Sequence, residues 1–184
     1  SIDVSGRTGG GTALIGGDYQ GKTPEVQNAW RTYVAPTASI RADAIADGNG
    51  GKVIVWADDS TRYFGSISAR GGTAGGDGGN SEVSGKRNLT FAGAADLSAP
   101  KGRAGALLLD PDDLYVGFDP ANGATQDSVN PFEAMDAINH YDFYVLASSL
   151  SGNASYTLQA SHDVIFNANV AFGSDGGGSR NVAV

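Results

Sequence analysis

The sequence predicts an all-β fold, a parallel β-helix (β-solenoid) with about 27–30 residues per rung. Three observations lead there. Short triplets with apolar ends and a polar or small middle recur at near-constant spacing. A glycine-rich turn follows each triplet, and a second apolar strand follows each turn. Composition agrees, since 28 glycines in 184 residues is twice the usual ~7% and no Gly-X-Y period marks collagen.

The triplets are Ile2-Asp3-Val4, Ile40-Arg41-Ala42, Ile67-Ser68-Ala69 and Leu97-Ser98-Ala99. Such alternation is that of a half-buried strand. Ile40 and Ile67 are 27 residues apart, and Ile67 and Leu97 are 30 apart. The first interval, from Ile2 to Ile40, is 38 residues. Its excess is assigned to 18–31, a polar stretch with Lys22, Pro24, Asn28 and Trp30, expected to bulge as a loop from one corner.

The second strands follow Gly10-Gly11, Gly50-Gly51, Gly78-Gly79 and Gly102–Gly105. Stacked, they give an inward column Ala13, Val53, Ser81, Leu107 and another Ile15, Val55, Val83, Leu109. Between these runs Leu14, Ile54, Glu82, Leu108, assigned to the outer face because Glu82 is expected to be a free carboxylate. A third strand is clearest at Leu89-Thr90-Phe91.

The rungs are expected over 1–116, then an insertion over 117–142, then resumed rungs over 143–184. Within the insertion, Pro131–Ile138 reads as a short helix, with Pro at its start and Phe132, Met135 and Ile138 three residues apart. In the resumed rungs Leu158, Val164 and Phe166 repeat Val83, Leu89 and Phe91, each 75 residues on. Val170 and the Gly176–Gly178 turn before Val182 continue the series. With no initiator Met and a last strand cut at Val184, the chain reads as part of something longer.

Several function classes are excluded early. A net charge of −8 repels phosphate backbones, so no nucleic-acid partner is expected. Without cysteine there is no disulfide framework and no thiolate metal site. No apolar run approaches the ~18 residues of a membrane helix.

Longer motifs carry a family resemblance. Ile15-Gly16-Gly17-Asp18-Tyr19-Gln20-Gly21, Thr32-Tyr33-Val34-Ala35-Pro36 and Gly48–Asp58 are followed by Ile67–Gly72, Glu82–Lys86 and Leu107-Leu108-Leu109-Asp110-Pro111. In this order the chain resembles filamentous-haemagglutinin-like exoproteins of bacterial two-partner secretion, closely over 10–115 and more loosely over 130–184. The resemblance implies a right-handed β-helix, secreted through an outer-membrane β-barrel partner and placed outside the cell or on its outer surface. It implies adhesins, biofilm-matrix proteins or toxin stalks, and it carries over no catalytic residue.

Candidate chemistry is sparse. Gly75–Val83 approaches a calcium-binding nonapeptide, but Asn80 and Glu82 stand where Asp and an aliphatic residue are needed, so a plain glycine corner is preferred. Asp58-Asp59 and Asp110-Pro111-Asp112-Asp113 are acidic clusters at expected turns. His140 and His162 have no second ligand at metal spacing, and no Gly-x-Ser-x-Gly elbow occurs. No cofactor is expected. Asn88-Leu89-Thr90 and Asn153-Ala154-Ser155 match the glycosylation acceptor pattern.

The candidate binding residues are aromatic. Tyr19, Trp30 and Tyr33 cluster in sequence around the 18–31 loop, and Trp56 shares the outer face with Ile54. Trp56 is expected to be covered by that loop or by a neighbouring chain; exposed, it would stack on a sugar. The leading expectation is therefore an adhesive or structural shaft, not an enzyme, whose partner is a polysaccharide or a cell-surface receptor. Two alternatives stand beside it. One is a filament subunit associating end to end. The other is a carbohydrate-active enzyme with paired carboxylates, which dispersal of Asp58, Asp59 and Glu82 on solvated corners would reject.

Overall fold

Alternating apolar residues give this chain strands too short to bury anything alone, so each must stack on a neighbour. The computed structural model describes residues 1–117, 145–146, 149–150 and 154–166. These form three sheets with every strand pairing parallel.

The chain visits the three sheets in turn. The first pass is β1 (Ile2–Asp3), β2 (Thr12–Ile15) and β3 (Arg31–Val34). The second is β4 (Ser39–Arg41), β5 (Lys52–Ala57) and β6 (Ser60–Tyr63), and the third is β7 (Ser66–Ser68), β8 (Asn80–Gly85) and β9 (Asn88–Phe91). The fourth is β10 (Ala94–Asp96), β11 (Ala106–Leu109) and β12 (Leu114–Gly117). After it come β13 (Val145–Leu146), β14 (Ser155–Leu158) and β15 (Val164–Phe166). The sheets run β1-β4-β7-β10, β2-β5-β8-β11-β14, and β3-β6-β9-β13-β12-β15.

Register sets identical faces above one another. In the second sheet Ala13, Val53, Ser81, Leu107 and Tyr156 align, as do Ile15 and Val55. Val55 faces Val83, and Leu109 faces Leu158, so the repeat at an offset of 75 is real. Inward side chains of all three sheets join one apolar cluster, including Ile40, Ile67, Val53, Leu107, Leu109, Leu89 and Phe91. Tyr63 stacks on Phe91 with ring centroids 5.5 Å apart. Burial pushes the Tyr63 phenol strongly up, and its hydroxyl has no partner.

The glycine turns have a steric cause. At Gly51, Gly79 and Gly105 a Cβ would stand 2.0, 2.1 and 1.9 Å from the carbonyl oxygens of Gly11, Gly51 and Gly79 in the preceding pass. Those carbonyls accept from the amides of Lys52, Asn80 and Ala106 at 2.9–3.1 Å. Hydrogen-bonded passes come too close there for any side chain.

Ion pairs also link consecutive passes. Arg70 pairs with Asp43, Arg103 with Asp77, and Asp59 takes both Arg31 and Arg87. Burial alone would raise the Asp43 pKa. Hydrogen bonds from Arg70 and Ser68 outweigh it and hold the carboxyl below its ordinary value.

Three expectations change. Ile67 pairs with Ala95, not Leu97, so the interval is 28 residues and Leu97 falls two places further on. A two-residue shift keeps the same face, so alternation cannot detect it. In the third sheet β13 inserts between β9 and β12, with Val145 facing both Phe91 and Val116. At the other end of these strands the passes still touch, since the Asp112 amide donates to the Lys86 carbonyl at 2.9 Å. The 18–31 segment does not bulge from a corner; it lies against the outer face of the second sheet. The predicted helix Pro131–Ile138, Val170 and the Gly176–Gly178 turn lie outside the described residues.

Candidate functional site

Ile54, Trp56 and Leu108 are buried yet stand outside the inner apolar cluster. Something must cover them from outside, and the covering element is the 18–31 strap. Asp18 opens it by accepting from the Tyr19 amide at 2.7 Å, which caps the 3-10 turn Tyr19–Gly21. Asp18 also accepts from the Thr23 hydroxyl and pairs with Lys52 of β5. The Lys52 ammonium and the Tyr19 amide hold its carboxyl below the ordinary value.

Gln20 is the centre of the strap. It takes the left-handed conformation (φ 53°), alone among non-glycine residues described. Its amide donates to Glu82 Oε2 at 2.9 Å, and its side-chain Nε2 donates to Asp110 Oδ2 at 2.7 Å. Lys22 Nζ then donates to Gln20 Oε1 at 2.7 Å. One residue therefore binds carboxylates from two consecutive passes.

Trp56 lies beneath the strap. A Cβ on Gly21 would meet the indole nitrogen at 2.5 Å, so backbone rests directly on the ring. Trp56 Nε1 donates to Asp58 Oδ1 at 3.1 Å, and Asn28 Nδ2 donates to the same oxygen at 2.9 Å. The strap ends as Ala29 and Trp30 accept from the Asp58 and Asp59 amides, both at 2.9 Å.

Glu82 was expected to be a free carboxylate, and that is corrected. It occupies the outer face but is 0% exposed, and its Oε1 has no hydrogen-bond partner. Desolvation is the main cause raising its pKa, and the charge of Asp110 adds to it. Asp110 is raised as well, first by desolvation and further by Asp112, against hydrogen bonding from Gln20.

Beside the strap runs an open groove of about 410 Å³. Gln20 and Lys22 of the strap line it, with Trp56, Asp58, Lys86, Asp110, Asp112, Gln159 and Ser161 from the sheets and their corners. Ammonium, carboxylate, amide and hydroxyl groups alternate around an indole edge.

The candidate aromatics separate. Trp56 is 5% exposed and covered by the strap as anticipated, whereas Trp30 and Tyr19 are 62% and 50% exposed. Tyr33 leans on Phe64 with ring centroids 5.9 Å apart. Asp59 is buried between two arginines, and Asp58 is engaged by Asn28 and Trp56, so neither sits on a solvated corner. His162 is exposed and lies 3.5 Å from Asp113. Among the described residues no cluster of three or more His, Cys, Asp or Glu is placed to hold a metal ion.

Gln20 was not anticipated as part of a site, and Asp110 was weighed only within an acidic cluster read as a turn. A signal existed: Ile54 and Leu108 in the outer column, with Trp56 beside them, are too apolar for a solvated face and imply a cover, although Leu14 of that column stays 39% exposed. Compared with known proteins, the chain matches no family model and no curated relative.

Proposed function

We propose that the chain is a stretch of a right-handed parallel β-helix from a large secreted bacterial adhesin. In this reading the stacked passes form a rigid mount, and the strap with its groove is the recognising surface. The observation that carries it is the strap itself, a folded polar layer built on the outside of a sheet whose inner face already has its core. Shafts need no such layer for their own stacking. The motif resemblance to filamentous-haemagglutinin-like exoproteins supports export through an outer-membrane β-barrel partner.

The groove suits a polysaccharide. Its indole edge adds a narrow apolar strip to the wall, and the surrounding Lys, Asp and Gln groups supply donors and acceptors for hydroxyls. Trp30 and Tyr19 are exposed on the strap and offer rings on which a sugar could stack.

A glycan-array screen tests this directly, comparing the unaltered chain with Trp56→Ala and Lys22→Ala. Selective binding weakened about tenfold or more by each substitution is expected, as for a central contact. No glycan bound by the unaltered chain, or equal binding by all three, contradicts the reading.

A further inference from the structure

The feature of the strap that stacking does not explain is a buried carboxylate without a cation of its own. Glu82 is completely covered, one oxygen taking the Gln20 amide and the other taking nothing. Its partner Gln20 is itself in a left-handed conformation that a residue with a side chain rarely adopts.

The charged groups around Glu82 do not neutralise it. Lys52, two residues before Ile54 on the adjacent strand, favours the charged form of Glu82, but its ammonium is paired with Asp18. Lys22 on the strap is turned to Gln20 Oε1. On the far side Asp110 and, beyond it, Asp112 contribute further negative charge. On β8 itself the Ser84 hydroxyl favours the charged form of Glu82, but its oxygen is engaged by the Asp110 amide at 3.2 Å. Closing the strap over an ionised Glu82 therefore seals a charge whose desolvation outweighs the help of the Gln20 amide and Lys52, and opening it admits water. Closing it over a protonated Glu82 carries no such penalty.

We propose that the strap is a proton-operated latch, in which Glu82 beneath Gln20 holds it shut when protonated and lets it lift when ionised. The raised pKa of Glu82 agrees in sign: the closed form binds the proton more tightly than the open one, so falling pH favours closure. Lifting frees Gln20 from Asp110 and uncovers Trp56, so the latch alters the groove wall. Its role in recognition rests on the proposed function of the groove, but the motion does not.

The test needs no ligand and so stands apart from the glycan screen. Trp30→Phe leaves Trp56 as the one tryptophan of the chain. Acrylamide quenching of Trp56 is then measured between about pH 4.5 and pH 8, with circular dichroism verifying the fold. The quenching constant is expected to rise about twofold or more with pH, and to stay low and flat when Glu82→Gln is added. A flat curve in the Trp30→Phe chain, or the same rise with Glu82→Gln, overturns the proposal. If the Glu82→Gln chain does not fold, exchange of the Gln20 amide in the unaltered chain decides. Protection, corrected for intrinsic exchange, should fall about tenfold or more across that range, and constant protection overturns the latch.

Discussion

The two faces of the second sheet are held by opposite means. Inside, Val53, Val55, Val83, Leu107 and Leu109 meet apolar residues from the other sheets and need no polar partner. Outside, Ile54, Trp56 and Leu108 are covered by a strap whose attachments run mostly through carboxylates: its own Asp18 to Lys52, and its amides to Asp58, Glu82 and Asp110. Apolar burial is insensitive to pH and tolerates no gap. A carboxylate-held layer responds to protons and can open without disturbing what lies beneath. The same strands thus serve a rigid face and a responsive one.

That contrast predicts a graded set of effects. The largest belongs to the inner face. Phe91→Ala removes the ring stacked on Tyr63 and should cost about 3–5 kcal/mol in denaturant unfolding, because the surrounding strands cannot collapse into the void. Gly79→Ala follows, at about 3 kcal/mol, since its methyl would stand 2.1 Å from the Gly51 carbonyl and both are backbone-fixed.

On the outer face the sign reverses. Glu82→Gln keeps an acceptor for the Gln20 amide and removes a buried charge, so it should stabilise the chain by about 1 kcal/mol at neutral pH. The gain should vanish in acid. Because the folded-state pKa of Glu82 is raised, its favourable contribution is full below the ordinary carboxylate value and is lost as pH rises through the folded value. Asp18 and Asp43 behave oppositely. Their pKa values are lowered, so their stabilisation is present above the ordinary value and is lost as pH falls through the folded one. Thermal melts across pH, with and without Glu82→Gln, separate the two trends. The smallest effect is expected for Arg103→Ala, whose solvent-exposed pairing with Asp77 should leave the thermal midpoint essentially unchanged.

The inner face was legible in the sequence. Period-two alternation and the glycine turns locate the second strands of four passes, and the offset from Val83 to Leu158 recovers a later one. The slip at Leu97 shows the limit, since a shift of two residues preserves every inward position. The insertion of β13 was not legible, because Val145-Leu146 is too short to carry a period. Much of the outer face was illegible for another reason. Gln20 meets Glu82 and Asp110 across 62 and 90 residues, and no local pattern encodes such contacts. Covering of Trp56 was anticipated because a tryptophan on an apolar outer face needs shelter, yet Glu82 was misjudged by the rule that charges face solvent.

The strap is a separately held layer on a continuous core. Native-state hydrogen exchange, followed amide by amide under rising denaturant, tests it most directly. Amides of Val53, Val55 and Val83 should exchange only through global unfolding. The Gln20 and Ala29 amides, bonded to Glu82 and Gly16, should exchange through a smaller opening that leaves the core protected. Strap and core amides sharing one opening free energy and one denaturant dependence would mean that the strap is no separate layer.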